Sequence, residues 1–210
     1  ACLVGSEMCI RDSYKLVAGN LRLGEVQAIQ PGAELVSEPE LLQSGKHPGK
    51  TNLTDIDSAL NILRYFQDSA CTVIVKHNNP CGVAKGGSLA ESYHRAYMAD
   101  RIAAFGGAIA VNRELDRETA ELIAGQYCEV VAAPGFAAGV LDVLGKRKNL
   151  RVLRIGNMER LRSYVGLRVP DFTSLIDGGL IVQSSFAPIT LSVQDFLPAM
   201  ATFEGREYRI

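Results

Sequence analysis

The middle of the chain alternates unbroken apolar runs with stretches of helical periodicity. Cys71-Thr72-Val73-Ile74-Val75 carries no polar alternation. That is the pattern of a strand buried on both faces, as in a parallel sheet. Lys76-His77-Asn78-Asn79-Pro80-Cys81-Gly82 follows directly, and Pro80 and Gly82 predict a stop and a loop. Upstream, Thr54 and Asp57 predict a helix start, with Ile56, Leu60, Leu63 and Phe66 forming one apolar stripe. Downstream, Ser88 and Glu91 read as a capping box for a helix to Met98 that buries Leu89, Tyr93, Ala96 and Tyr97. Further strands are predicted at Ala108–Val111, Cys128–Ala133, Leu150–Ile155 and Leu180–Gln183. Helices fall between them, Arg117–Ala124 behind an Asp116 cap and Ala137–Leu144.

This alternation predicts an α/β fold, a layered mixed sheet with flanking helices and much of the sheet parallel. Residues 14–50 are read as an irregular lead-in with short strands at Leu16–Ala18 and Leu21–Leu23, and residues 51–183 as the main subdomain. Residues 184–210, with an amphipathic stretch around Val193–Leu197 and Ala199–Phe203, read as the start of a truncated segment. Residues 1–13 match nothing that follows and read as a non-native tail.

The 210 residues are 47% hydrophobic and 21% charged, the balance of a globular domain. With 22 basic against 23 acidic side chains and a net charge of −1, no basic surplus argues for nucleic acid or a membrane surface. No apolar run approaches the ~18 residues of a membrane span. Five cysteines without CxxC pairing fit a reducing cytoplasm.

The chemistry is then narrowed by elimination. No GxGxxG follows a strand and no GxxxxGK[ST] occurs, although Gly106-Gly107 lies where bare backbone can approach a ligand. Pro80-Cys81 starts the PCxxC of zinc deaminases, but Ala84 stands at the second cysteine. His47, His77 and His94 lack ligand spacing, so no metal is expected. Cys81 with His77 four residues away lacks a third orienting group for nucleophilic catalysis. Lys76 and His77 remain. Open α/β sheets bind ligands outside the carboxyl ends of their strands, and a strand ending between these two residues lets both face one pocket. A neighbouring ammonium favours the neutral imidazole, which accepts a proton near pH 7. It also stabilises a developing oxyanion. The pair suits an amine attacking an acyl carbon.

These residues also carry a resemblance. Val75-Lys76-His77-Asn78-Asn79-Pro80-Cys81-Gly82-Val83-Ala84 resembles the signature of the AICAR transformylase (phosphoribosylaminoimidazolecarboxamide formyltransferase) family. Four further blocks follow the family's order: Thr54–Leu60, Asp100–Leu115, Glu129–Phe136 and Lys146–Arg151. Gly178–Gln183 does so too, and the resemblance runs from about Leu16 to Gln183. It implies a zinc-free, cytidine deaminase-like fold. It further implies formyl transfer from the co-substrate 10-formyltetrahydrofolate to the 5-amino group of AICAR, giving FAICAR on the way to IMP. By resemblance His77 is the general base, Lys76 the oxyanion partner, Gly106 and Gly107 the turn near the AICAR base, and Glu129 a nucleotide-binding carboxylate. A homodimer with its site at the subunit interface is also implied.

The sequence departs from that family at one block. Arg-Tyr-Gly-Glu-Asn-Pro-His-Gln is present only as Arg22-Leu23-Gly24-Glu25, leaving Arg22 as a phosphate ligand. The cyclohydrolase region and the second transformylase half are absent from these residues, so this stretch alone is expected to be inactive. Two alternatives stay open: a paralogue that binds an AICAR-like nucleotide without transferring formyl, and a zinc-free deaminase-like enzyme.

Overall fold

The computed structural model describes residues 22–23, 26–27, 34–43, 47–167 and 169–184. The expected tail, the strand at Leu16–Ala18 and the amphipathic stretch after Ser184 lie outside the described residues. The described residues divide into two compact units, one from Glu34 to Tyr164 and the other holding residues 22–23, 26–27, 165–167 and 169–184.

The first unit is built on a six-stranded mixed sheet. Its strands, in spatial order, are β3 (Glu40–Gln43), β8 (Arg151–Arg154), β7 (Val130–Ala133), β6 (Ala108–Val111), β4 (Ala70–Lys76) and β5 (Asn79–Gly86). Only β6–β7 and β7–β8 are parallel, two of five pairings. The expected mixed sheet with flanking helices is present, but its parallel part is the smaller share. An unbroken apolar run reports burial on both faces, and antiparallel neighbours covered by helices satisfy it as well. Strand β4 is such a case, antiparallel to β5 and to β6, with every residue from Cys71 to Val75 buried.

Helices cover both faces. On one side α1 (Lys50–Leu63) lays Leu53, Ile56, Ala59, Leu60 and Leu63 against Cys71, Val73 and Val75, joined by Met158 and Leu161 of the 3₁₀ helix Met158–Tyr164. On the other, α2 (Leu89–Ala99), α3 (Arg117–Ala124) and α4 (Val140–Leu144) bury Leu89, Tyr93, Ala96, Ala120, Ile123 and Val143 against Ile74, Ile109 and Val131. Each large aliphatic side chain buried in these layers contributes roughly 1.5–3 kcal/mol.

Helix starts follow the cap chemistry where the cap reads unambiguously. Asp116 accepts from Thr119 N–H at 2.7 Å, and Ser88 accepts from Glu91 N–H at 3.1 Å. Helix α1 instead begins at Lys50, four residues before the expected Thr54, because Asn52 Oδ1 accepts from Gly49 N–H at 3.0 Å. Helix α4 starts at Val140, later than Ala137, behind Gly139 in the left-handed region at φ 77°. Phe66 packs on the core beyond the end of α1.

The loop expected at Pro80 is strand. β4 turns directly into β5, pairing Lys76 with Asn79, and a bulge between the Ile74–Gly82 and Val75–Pro80 pairs accommodates Cys81. Pro80 is tolerated because β5 is the sheet's edge, where a missing N–H costs no ladder bond. Gly82 is required by packing, since a Cβ there would lie 1.9 Å from the Ala96 carbonyl oxygen of α2. The edge strand β3 falls within the stretch read as irregular. The second unit contains two antiparallel pairs, β1 (Arg22–Leu23) with β2 (Val26–Gln27), and β9 (Pro170–Ser174) with β10 (Leu180–Ser184). No helix of the described residues is long and apolar enough to cross a membrane.

Gly82→Ala forces β5 away from α2, an overpacking that costs about 2–3 kcal/mol. A lowered urea midpoint is expected; an unchanged midpoint contradicts this packing.

Candidate active site

The hairpin that closes β4 onto β5 presents Lys76 and His77. His77 and Asn78 occupy its two central positions with φ 56° and 63°, the sign that a two-residue type I′ turn requires at both. Asn and His are among the non-glycine residues that most readily adopt this region. The strand therefore ends between Lys76 and His77, as their proposed convergence demands. Asn79 Nδ2 donates to His77 O at 2.9 Å, bracing the turn from within.

Three contacts tie this hairpin to its surroundings. Lys76 Nζ donates to Phe105 O at 2.7 Å, which brings the ammonium to the Phe105-Gly106-Gly107 turn. Asn78 N–H donates to the buried Asp55 carboxylate on α1 at 2.7 Å, and Ser58 Oγ approaches Asn78 Oδ1 at 3.4 Å. The glycine turn is itself shaped by close approaches. Gly106 sits at φ 76° and donates to Tyr127 O at 2.9 Å. A Cβ on Gly107 would stand 2.9 Å from Val75 O, so only glycine fits against β4. Phe105 and Tyr127 form an exposed aromatic pair beside it, ring centroids 4.9 Å apart.

Glu129 enters from the start of β7. Its backbone N–H donates to Gly107 O at 3.1 Å, so the acidic residue follows the glycine turn in the adjacent strand. Its carboxylate accepts from Asn52 Nδ2 at 2.9 Å and lies 3.9 Å from the Arg151 guanidinium at the start of β8. Arg151 is 13% exposed and Glu129 41%, which leaves the carboxylate open to a ligand.

The site thus gathers the carboxyl end of β4 and the amino ends of β6, β7 and β8. This corrects the expectation drawn from open parallel sheets. Because β4 runs antiparallel to β6, its carboxyl end meets the others' amino ends. The structure brings Lys76, His77, Gly106, Gly107 and Glu129 to one edge of the sheet. Arg22 belongs to the other unit, and its side chain lies outside the described residues. Asn52, Asp55 and Arg151 were not singled out as site residues by sequence. The available signal was the polar pair Asn52 and Asp55 on the buried stripe of α1.

Among the described residues no three His, Cys, Asp or Glu side chains gather as a metal-binding group. Cysteine chemistry is unfavourable at neutral pH. Burial pushes the thiols of Cys71 and Cys128 up to about 11 and about 12. The thiol of Cys81, the bulge residue of β5, is also raised, first by burial and then by Asp100.

The AICARFT/IMPCHase bienzyme family profile matches residues 24–195. The chain belongs to the AICARFT/IMPCHase family. The chain is also 37% identical over 139 residues to the bifunctional purine biosynthesis protein PurH of Caldicellulosiruptor saccharolyticus. That alignment covers 66% of this chain and 26% of the relative, so the chain spans about a quarter of the protein it matches. Arg22 precedes the residues matched by the AICARFT/IMPCHase profile.

The buried thiols set an alkaline limit. A pKa raised on folding stabilises the protein fully below the unfolded value of 9.0, and that contribution is lost as pH rises towards about 12 for Cys128. Stability measured by denaturation should fall across this window. At pH 8, iodoacetamide should spare Cys71 and Cys128 until the protein is unfolded; rapid modification of the native protein contradicts their burial.

Proposed function

We propose that the AICARFT/IMPCHase chain carries the proton-transfer half of an AICAR transformylase site, acting in purine biosynthesis. The observation that carries this reading is the Lys76 Nζ–Phe105 O hydrogen bond, which ties the hairpin bearing His77 to the Gly106-Gly107 turn. In this reading the AICAR 5-amino nitrogen attacks the formyl carbon of 10-formyltetrahydrofolate. As the new C–N bond forms, His77 takes the amine proton. The bond from the formyl carbon to the folate N10 then breaks, and N10 leaves with the proton that His77 returns to it. The Lys76 ammonium offsets negative charge on the formyl oxygen. Glu129, steadied by Asn52 and Arg151, accepts from nucleotide hydroxyls. Residues held elsewhere in a full-length homodimer, in the cytoplasm, complete the folate side. Turnover therefore belongs to the full-length protein.

A second reading, nucleotide binding without transfer, is favoured by one observation. Leu23 stands where the family block has tyrosine, and the block's Asn-Pro-His-Gln is gone.

His77→Ala in the full-length protein should lower FAICAR formation by ~10²–10⁴-fold, the range for losing a general base, with AICAR affinity by calorimetry little changed. Retention of most of the rate would remove His77 from the role. AICAR binding with no turnover by the unsubstituted protein supports the second reading instead.

A further inference from the structure

A hairpin whose two central residues both sit at positive φ is held by its surroundings, because neither is glycine. On the sheet side the clamp is Lys76 Nζ on Phe105 O. On the helix side the shorter of two contacts is to a buried carboxylate, the other being Ser58 Oγ at 3.4 Å from Asn78 Oδ1. Asp55 is only 5% exposed, and its Oδ1 accepts from the Asn78 backbone N–H at 2.7 Å. A carboxylate acceptor on a backbone N–H makes a strong bond, and its burial on α1 fixes where that acceptor stands. Asp55 stands between Leu53 and Ile56, both packed in the core, so its helix cannot shift without disturbing the sheet face. The bond therefore transmits the position of a rigid helix to the turn.

We infer that Asp55 is a positioning residue for His77, fixing the turn that presents the imidazole through the Asn78 amide. The Asp55 carboxylate acts on the backbone one residue away from His77, through the Asn78 amide. Its catalytic consequence rests on the transformylase reading, whereas its mechanical consequence does not. The two are separable by experiment.

Two variants distinguish acceptor from volume. Asp55→Leu keeps the size of the side chain and removes the acceptor; Asp55→Asn keeps an acceptor oxygen. Amide hydrogen exchange is followed by NMR, together with kcat and the AICAR KM of the full-length protein. Asp55→Leu should accelerate exchange at Asn78 at least ~10-fold over the rest of the sheet. It should lower kcat ~10- to 100-fold, the scale of a small misplacement at a reacting group, while KM stays within ~2-fold. Asp55→Asn should restore both. Unchanged Asn78 exchange in a folded Asp55→Leu protein overturns the inference, as does an Asp55→Asn variant no better than Asp55→Leu. Should Asp55→Leu not fold, Asp55→Ala is read the same way, and loss of folding in both assigns Asp55 to the fold and overturns positioning. An unsubstituted protein without transferase activity sinks the functional reading alone, since the exchange measurement then still decides the role of Asp55.

Discussion

Burial of the sheet on both faces is the constraint from which the site follows. β6 and β7 are buried at all four positions, and β4 from Cys71 to Val75. A charged group inside these runs would have to lose its hydration without a partner. Polar chemistry is therefore confined to the strand ends. Lys76, Glu129 and Arg151 all lie there, at one edge of the sheet, and the backbone bond from Glu129 to Gly107 joins two of the strands. The antiparallel junction of β4 and β6 decides which ends meet.

Within that edge, α1 is the common support. Asn52 holds the Glu129 carboxylate, and Asp55, one turn on, holds the hairpin apex. The helix is pinned by Ile56, Leu60 and Leu63 in the core. The same burial that stabilises the domain thus locates two polar contacts about a helical turn apart. Glycine is needed at Gly107 for a complementary reason: the turn runs so close to Val75 O that no side chain fits.

Elements with local causes were legible in the sequence. The Asp116 cap and the Ser88–Glu91 start are local hydrogen bonds, and both helices form where those residues place them. Strand direction was not legible, because the Cys71–Val75 run looks the same beside parallel or antiparallel neighbours. Pro80 was misread as a breaker because edge position is a property of the sheet, not of the residue. β3 escaped because four half-exposed residues, Glu40-Leu41-Leu42-Gln43, have no periodicity of their own. In the site, Lys76, His77 and the glycine pair stood out as motifs. Asn52, Asp55 and Arg151 did not, since their partners are far along the chain.

In the proposed site the nucleotide binds at the edge that joins the end of β4 to the starts of β6 and β7. Backbone amide chemical-shift mapping during AICAR titration of the full-length protein tests it most directly. Perturbations centred on His77, Gly106, Gly107 and Glu129 are expected. Perturbations centred instead on the opposite end of the sheet, in the pocket lined by Asn112, Arg113, Glu114 and Gly135, would contradict it.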